Sequence, residues 1–327
     1  MNKRIVIAGA GILDVLVCPV ENHVFEKGSV PVDTIKISTG GDALNEATVL
    51  ARLLEKPGSV ELLTLVGEDK AGSMILEHCH REGIGTELFT VDNSVQTGVN
   101  VVMVQKDGNR SFFTNPKSSL RKLAPGHFSG LFSGEGQETD GIFCLASIFV
   151  SPELGGDALA EIFGRAKQEG MIVCADMTKC KNGETTEDIR EALSYVDYLF
   201  ANKEEAAMVT GAVQTGEMAE RFLACGVGTV VIKCGADGCF VKNRDIAGQF
   251  PALQGIRCVD TTGAGDSFAA GFLWGLSEGV TLRECICRAN ICGALATETV
   301  GASEGVRSRK QVREILDKYG NTMESVL

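Results

Sequence analysis

The stretch DTTGAGDSFAAGF, at residues 260–272, sets three residues with minimal side chains before one acid and continues as an apolar helical pattern. Gly263, Ala264 and Gly265 leave the backbone open, and the free N–H groups of a helix N-terminus attract anions. A bound phosphate would repel Asp266 unless that acid accepts a proton from an attacking hydroxyl. The stretch therefore indicates phosphoryl transfer to an alcohol. The alternative is an acid that only stabilises its own helix.

Short apolar runs alternate with amphipathic helical stretches along most of the chain. The runs are continuously apolar, as strands buried on both faces are, and their order predicts an α/β fold with a mostly parallel sheet between two helical layers. The predicted strands are residues 4–10, 60–66, 141–146, 171–176, 198–201 and 229–234. The predicted helices are residues 43–55, 71–82, 153–169, 203–210, 217–225, 262–277, 282–298 and 308–318.

One region departs from this alternation. The run VPVDTIKIS at residues 30–38 is strand-like without a helix before it, and two further strand-like runs flank the dipeptide Asp107-Gly108, a strong hairpin signal. We expect lid strands at about residues 12–38 and 96–116 to form a small separate sheet, inserted in a single domain over residues 1–327.

Composition argues against several classes of protein. A net charge of −12 disfavours nucleic acid and anionic membrane partners, which need basic clusters. No apolar run reaches the roughly 18 residues of a membrane span, and the N-terminal stretch is expected to be a buried strand and not a secretory leader. The twelve cysteines include no Cys-x-x-Cys pair, which is typical of reduced thiols, so a cytoplasmic location is expected.

Two further elements carry candidate binding residues. In STGGDALNEATVLARL, at residues 38–53, two glycines allow a substrate close to the backbone, and Asp42 and Asn45 can bind hydroxyls. The alternative there is a glycine turn with an acidic cap. Asp14 follows GAGIL, where a dinucleotide fingerprint would place its third glycine, so it suits sugar hydroxyls, or it is a solvated acid at a strand end. The absence of a Gly-Lys dipeptide excludes a Walker A loop.

GGDALNEATVLARL and DTTGAGDSFAAGF resemble, in order and separation, the two signatures of the ribokinase-like (PfkB) carbohydrate kinases. The resemblance covers almost the whole chain and is nearest to bacterial sugar kinases that share Gly-Gly-Asp-Ala-x-Asn-Glu-Ala. It implies a three-layer α/β/α ribokinase-like fold with a mostly parallel central sheet and a small β-sheet lid.

The resemblance also implies roles for individual residues. Asp266 would be the base that activates the acceptor hydroxyl, and the N–H groups of the residues at 264–266 would form an anion hole. Asp14, Gly41 and Asn45 match positions that bind substrate hydroxyls. Asp42 stands where ribokinase has a lysine, which argues against ribose as the substrate.

Nucleotide and metal contacts follow from the same resemblance, with ATP as co-substrate and Mg²⁺ and K⁺ as cations. The implied nucleotide contacts are Asn202, Lys233, Gly235, Gly238 and Asn290. Glu205 would organise Mg²⁺ through water. The implied K⁺ site comprises Asp260 and Thr262 with backbone carbonyls near Ala296, Thr299 and Gly301. The alternative is that those small residues only close the adenine pocket.

The acceptor is less well defined. Lys179, Lys181 and Arg110 can pair with a substrate carboxylate, as basic residues do in sugar-acid kinases of this family, or can be solvated surface charges. Asn115 would line the lid side of the pocket. Aromatic residues make up only 6% of the chain, which disfavours a nucleoside stacked on aromatic rings.

The sequence therefore predicts an ATP-dependent kinase that phosphorylates a hydroxyl of a sugar or sugar acid. The alternatives are a nucleoside kinase and a non-catalytic relative that binds sugar or nucleotide. A homodimer formed through the lid is expected, and neither nucleic acid nor membrane is expected as a partner.

Overall fold

The computed structural model of the chain describes residues 3–21, 24–105, 110–132 and 141–323. Within these ranges the chain forms thirteen strands and ten α-helices. The strands are β1 (Arg4–Ala8), β2 (Ile12–Cys18), β3 (Thr34–Gly40), β4 (Val60–Gly67), β5 (Phe89–Asp92), β6 (Val99–Val104), β7 (Arg110–Thr114), β8 (Gly141–Ile148), β9 (Ile172–Met177), β10 (Tyr198–Asn202), β11 (Thr229–Lys233), β12 (Cys239–Lys242) and β13 (Ala247–Phe250). The helices are α1 (Val24–Lys27), α2 (Asp42–Leu54), α3 (Lys70–Glu82), α4 (Gly156–Gln168), α5 (Arg190–Leu193), α6 (Lys203–Thr210), α7 (Thr215–Ala224), α8 (Ala264–Glu278), α9 (Leu282–Thr297) and α10 (Arg309–Met323).

The larger sheet contains nine strands in the order β13-β12-β11-β10-β9-β8-β1-β4-β5. All neighbours from β11 to β5 are parallel, and β12 and β13 extend the sheet as antiparallel strands. Parallel strands need long crossover connections, and helices supply them here. The predicted α/β architecture with a mostly parallel sheet is confirmed.

Strand β1 shows why the sheet is covered on both faces. Ile5 and Ile7 belong to a buried cluster formed with α2, α8 and α9, whereas Val6 and Ala8 belong to a second cluster with α4 and α7. Because successive side chains of a strand point to opposite faces, a strand apolar at every position must be buried on both sides. The result is three layers, with helices on either side of the sheet.

The smaller sheet contains four strands in the order β3-β2-β6-β7. Strands β2 and β6 are parallel, and the two outer strands are antiparallel to their neighbours. This confirms the small sheet that the interrupted pattern predicts. The predicted turn at Asp107-Gly108 lies outside the described residues.

Strand register gives the small sheet two different faces. Asp14 pairs with Ser38 and Asn100, whereas Val15 pairs with Ile37 and Val101. Residues paired across neighbouring strands lie on the same face. One face therefore carries Asp14 and Asn100, and the other is mostly apolar, with Thr39 and Ser111 as polar members. The apolar face includes Val15, Val17, Ile35, Ile37, Val101, Met103 and Phe113.

Several details differ from the sequence prediction, among them the start of α4, which is Gly156 and not residue 153. The antiparallel strands β12 and β13 and the edge strand β5 were not predicted, because each has only four residues and such short runs carry little periodicity. The first strand ends at Ala8 and not at residue 10. Helix α10 continues to Met323, five residues beyond its predicted end.

The only tryptophan of the chain joins the last three helices. Trp274 on α8 is fully buried, and the guanidinium of Arg288 on α9 stacks over its ring at 4.0 Å. Arg309 on α10 lies 5.6 Å from the same ring, and both arginines bind Glu278. Cation–π and charge-assisted contacts thus fix α10 against α8 and α9.

Among the helices that the structure describes, none combines the length and apolar character needed to cross a bilayer.

Core packing provides a test of the helical layer formed by α4. Phe163 is fully buried on α4 and packs edge-on against Phe143, with ring centroids 6.2 Å apart. Phe163→Ala should lower the free energy of unfolding by about 3–5 kcal/mol through lost burial and an unfilled cavity. Urea unfolding followed by circular dichroism measures this. Phe112→Ala, at a ring that is 59% exposed, is the matched control and should change stability by about 0.5 kcal/mol at most. Equal losses for the two variants would contradict the described layer.

Candidate active site

Three polar residues end three adjacent parallel strands. Asp176 is the penultimate residue of β9, and Asn202 and Lys233 are the last residues of β10 and β11. The carboxyl ends of parallel strands meet at one edge, which is where open α/β sheets bind ligands. All three residues line a cavity of about 620 Å³ at this edge.

The N-terminus of α8 closes one side of the cavity. The helix begins at Ala264, directly after Gly263, which has φ 72°. A Cβ atom at position 263 would overlap the Ala302 carbonyl, so both the backbone angle and the space require glycine. Ala264, Gly265 and Asp266, in the first turn, line the cavity.

Asp266 is held by the other signature. The side-chain amide of Asn45, on the first turns of α2, donates to Asp266 Oδ2 over 2.7 Å. The sequence indicated both residues but gave no reason for them to touch. The contact brings the two signatures of the chain into one site.

The surroundings of Asp266 disfavour its charge. Burial and the nearby carboxylate of Asp42 raise its pKa to about 8, although the Asn45 hydrogen bond and the Lys233 ammonium act in the opposite direction. A carboxylate with such a pKa is a stronger base than an ordinary aspartate, and it can take a proton from a hydroxyl once the pH is high enough to ionise it.

Lys233 lies between the acids. Its ammonium donates to both carboxylate oxygens of Asp176, at 2.8 and 2.5 Å. Burial opposes its charge, but Asp176 and Glu205 outweigh burial and raise its pKa, so it stays cationic. A Cβ atom at Gly265 would lie 3.3 Å from Lys233 Nζ, which places the cation beside the first turn of α8.

Helix α2 contributes a carboxylate to the same cavity. Its N-cap is Gly41, whose φ of 95° and close approach to the Ala10 carbonyl leave no room for a side chain. Asp42 follows at the first helical position and accepts a hydrogen bond from Ser147 Oγ on β8. The sequence did not indicate Ser147 as a site residue. Its position near the carboxyl end of a buried strand was the only feature that could have pointed to it.

Asp14 lies on the small sheet. The side-chain amide of Asn100, its neighbour on β6, donates to Asp14 Oδ1 over 3.2 Å. Asn100 was also missed, because its proximity to Asp14 depends on strand register and not on any local motif.

The Asn-x-x-Glu element forms a capping box at the start of α6. The Glu205 N–H donates to Asn202 Oδ1 over 2.9 Å, and the Asn202 N–H donates to Glu205 Oε2 over 2.8 Å. Burial raises the pKa of Glu205 to about 7, although Lys233 opposes the shift. Both residues line the cavity, so the element has a structural function as well as a place in the site.

The far end of the cavity is mostly small and apolar. Gly235, Gly238 and Asn290 line it, as predicted positions for nucleotide contacts. Asn290 is buried on α9, and its amide lies 3.8 Å from Cys239 Sγ. The apolar and small residues around them are Ala236, Ala252, Leu253, Ile256, Gly293 and Ala294.

A buried acid lies behind the first turn of α8. Asp260 Oδ1 accepts hydrogen bonds from Thr262 N at 2.9 Å and Thr262 Oγ1 at 2.7 Å, and Oδ2 accepts from Gly301 N at 3.1 Å. Ala296 is buried on α9, and Thr299 is exposed in the segment that follows. Among the residues with described positions, no three acidic, histidine or cysteine side chains form a metal cluster.

Of the predicted acceptor residues, Asp42 lines the cavity, whereas its described lining does not include Asp14, Gly41, Asn45, Asn115, Lys179 or Lys181. Lys179 is exposed and pairs with Glu204 at 2.7 Å, and Lys181 is exposed nearby. Asn115 is exposed, and its amide donates to Gln96 Oε1 over 3.3 Å. The side chain of Arg110 lies outside the described part of the chain. Their roles stay predictions.

The fold and this grouping of residues agree with a known family. The model of the pfkB family carbohydrate kinases matches residues 2–309. The chain belongs to this family. This kinase is therefore a phosphotransferase that uses an alcohol group as acceptor.

Relatives of this kinase act on different sugars. It is 27% identical over 293 residues to the ribokinase of Haemophilus influenzae, covering 86% of this chain and 88% of the relative. It is 26% identical over 275 residues to the 2-dehydro-3-deoxygluconokinase of the same organism, covering 81% and 88%. The structure of Arabidopsis thaliana ribokinase complexed with ribose and ATP matches with a TM-score of 0.78 at 24% identity, covering 97% of this chain and 99% of that one. That likeness establishes the ribokinase-like fold.

The carboxylate of Asp42 gives a pH test of this site. Asp42 raises the pKa of Asp266, and an Asp266 base works only after losing its proton, so activity should rise with pH through a value near 8. Asp42→Asn removes the repulsion and should move this acid limb of kcat/KM to lower pH, whatever it does to the maximal value. Asp92→Asn, at an acid on the edge strand β5, is the control and should leave the limb in place. An unmoved limb in Asp42→Asn would contradict the electrostatic link.

Proposed function

We propose that this kinase transfers the terminal phosphate of ATP to a hydroxyl of a sugar or a sugar acid. The observation that carries the proposal is the position of Asp266, in the first turn of α8, hydrogen-bonded to Asn45 and close to the Lys233 cation. A proton acceptor and a helix N-terminus thus lie at one place, where a hydroxyl and a phosphate have to meet.

In the proposed reaction, the acceptor oxygen attacks the terminal phosphorus, its proton passes to Asp266, and ADP leaves. The first-turn N–H groups of Ala264, Gly265 and Asp266 stabilise the charge that develops on the transferred group. The Ala264 N–H donates to Thr261 O over 3.3 Å. This is a long bond, which a phosphate oxygen would replace.

Nucleotide binding is assigned to the rest of the cavity. Asn290 and the glycines at 235 and 238 would bind the nucleoside, and Lys233 and Asn202 would face the phosphates. Glu205 would hold Mg²⁺ through water, consistent with the reluctance of Mg²⁺ to lose its hydration shell and with its usual binding through substrate phosphates.

K⁺ is assigned to the segment behind α8. The carboxylate of Asp260 is buried, and the chain beside it includes Thr262 and the residues around Ala296, Thr299 and Gly301. A buried negative charge with nearby backbone carbonyls suits a monovalent cation. A bound cation there would fix the loop that packs on Gly263.

The acceptor is assigned to the side of Asp266 that faces α2 and the small sheet. Carboxylates accept hydrogen bonds from sugar hydroxyls, and Asp14 and Asp42 are each oriented by a neighbour, Asn100 and Ser147. Gly41 and Asn45 would add backbone and amide contacts. Arg110, Lys179 and Asn115 stay proposed contacts for a carboxylate or for the lid side. Ribokinase and 2-dehydro-3-deoxygluconokinase among the relatives support both acceptor classes.

ADP release tests the proposed function. ATP and Mg²⁺ would be combined with sugars, sugar acids and nucleosides, in KCl or NaCl. With the best acceptor, Asp266→Asn should lower kcat by roughly 10²–10⁴-fold, because the positioned base is lost, and should change ATP affinity by about twofold at most.

Asp69→Asn is the matched control for this variant. Asp69 is also an acid at a helix N-terminus, where it caps α3 by accepting from Gly72 N at 2.8 Å. Its replacement should lower stability and leave kcat unchanged. If Asp266→Asn behaved in the same way, Asp266 would be only a helix-stabilising acid. Activity with ribonucleosides alone would favour a nucleoside kinase.

The small sheet is proposed as a lid that also pairs two subunits. Its apolar face includes Ile35, Ile37 and Phe113, which are 69%, 54% and 48% exposed. Exposed apolar side chains on one continuous sheet face are typical of protein–protein contact. Strand β3 is also an edge of its sheet.

Sedimentation tests the lid as an interface. The chain should be a dimer at micromolar concentration, and Ile35→Asp should shift it to monomers by placing a charge in the apolar contact. Val213→Asp, at another highly exposed apolar residue, is the control and should remain dimeric. A wild-type monomer at that concentration would refute the pairing.

A further inference from the structure

Helix α2 reaches the first turn of α8 by two routes. Its N-terminal end supplies Asn45, which binds Asp266 directly. Its C-terminal end supplies Arg52, which binds the loop at residues 301–306, here called the back loop. Arg52 has no part in the proposed chemistry, so its contacts need another explanation.

The back loop packs directly on residues 263–266, here called the anion turn. The Ala302 carbonyl occupies the space that a side chain at Gly263 would need, and the Gly301 N–H donates to Asp260 Oδ2 over 3.1 Å. Any shift of the back loop would therefore change the support of Gly263 and of the N–H groups that follow it. The back loop therefore supports the first turn of α8.

Arg52 fixes this loop through its backbone. Its Nη1 donates to Ser303 O over 2.6 Å and to Val306 O over 3.2 Å. Both acceptors are backbone carbonyl oxygens, so these hydrogen bonds fix the path of the loop independently of its side chains. Two carbonyls three residues apart, held by one nitrogen, leave little freedom to the chain between them.

Arg52 is itself oriented by Glu82 at the end of α3. Nε and Nη2 donate to the two carboxylate oxygens over 2.8 and 3.0 Å, a bidentate pair. The two side chains are only 18% and 16% exposed. The planar guanidinium thus uses one edge for Glu82 and another for the back loop, a geometry that lysine cannot reproduce.

We propose that Arg52 is a positioning residue for phosphoryl transfer: by clamping the back loop between Glu82 and the anion turn, it keeps the first-turn N–H groups of α8 in register with the transferred phosphate. The proposal rests on the proposed kinase function for its catalytic part. The mechanical part, from Arg52 to Gly263, stands on the contacts alone.

Arg52→Lys tests the proposal because it keeps the positive charge and removes the planar guanidinium, which binds Glu82 and the back loop at the same time. The anion turn should then be less well placed, and kcat should fall by about tenfold or more, since small displacements of catalytic donors cost one to three orders of magnitude. KM for ATP and for the acceptor should change by about threefold at most, because neither ligand touches Arg52 in this arrangement.

The chain offers a matched control in Arg4→Lys. Arg4 on β1 also makes a bidentate pair, with Glu61 at 3.0 Å for both bonds, and its Nη1 donates to the Leu131 carbonyl over 3.4 Å. This variant loses the same kind of bidentate pair away from the back loop. Its kcat should stay within about twofold of wild type, because loss of the partly exposed ion pair between Arg4 and Glu61 affects the stability of the fold and not the transition state.

Hydrogen exchange provides a readout that needs no substrate. In Arg52→Lys, backbone amides at residues 261–267 and 301–306 should exchange at least about fivefold faster than in wild type, whereas Arg4→Lys should leave them unchanged. Unchanged exchange there would overturn the mechanical link, whether or not the chain is a sugar kinase. Faster exchange with an unchanged kcat would overturn the catalytic part.

A second variant covers the case in which Arg52→Lys does not fold. Glu82→Gln leaves Arg52 in place but replaces the charged partner by an amide, which weakens the orientation of the guanidinium. It should lower kcat by about threefold or more and raise exchange in the same two segments. An unchanged kcat and unchanged exchange in Glu82→Gln would then overturn the proposal.

Discussion

The hydrogen bond from Asn45 to Asp266 is the contact on which the rest of the site depends. It joins residues 221 positions apart in sequence, at 2.7 Å, and it can form only where α2 and α8 begin at the same edge of the sheet. Both helices also begin directly after a glycine. Gly41 and Gly263 each adopt a positive φ, and a side chain at either position would overlap a backbone carbonyl, that of Ala10 or that of Ala302.

A concentration of carboxyl groups is the cost of this arrangement. Burial raises the pKa of Glu46, Asp176 and Asp266, and Lys233 is the cation that counters them. Glu46 is fully buried, and its Oε1 has no hydrogen-bond partner among the described residues. A carboxyl group whose pKa is higher in the folded than in the unfolded chain destabilises the fold increasingly as pH rises above about 4. At neutral pH the site therefore weakens the fold that positions it, as functional sites often do.

The sequence was most informative where a residue acts on its own neighbours in the chain, as a helix cap does. Helix α6 was predicted with both of its ends, and the structure shows a local residue signal at each: Asn202 and Glu205 cap its start, and Gly211 ends it in the left-handed region. The two signatures likewise identified the residues at the starts of α2 and α8. The partners of those residues could not be predicted. Ser147 meets Asp42, and Asn100 meets Asp14, only through strand order and register. The pairing of Lys179 with Glu204 depends in the same way on the spatial adjacency of β9 and α6.

The position of Trp274 makes intrinsic tryptophan fluorescence a local probe of this protein. The chain contains one tryptophan, and two guanidinium groups lie 4.0 and 5.6 Å from its ring at the junction of α8, α9 and α10. Its emission therefore reports on one corner of the molecule, with the tyrosines and phenylalanines contributing at shorter wavelength. Since Arg309 belongs to α10, detachment of the terminal helix would change the polarity and the quenching of the indole before the central sheet is disturbed. Tryptophan fluorescence would therefore report detachment of α10 separately from unfolding of the central sheet, whereas circular dichroism averages over both.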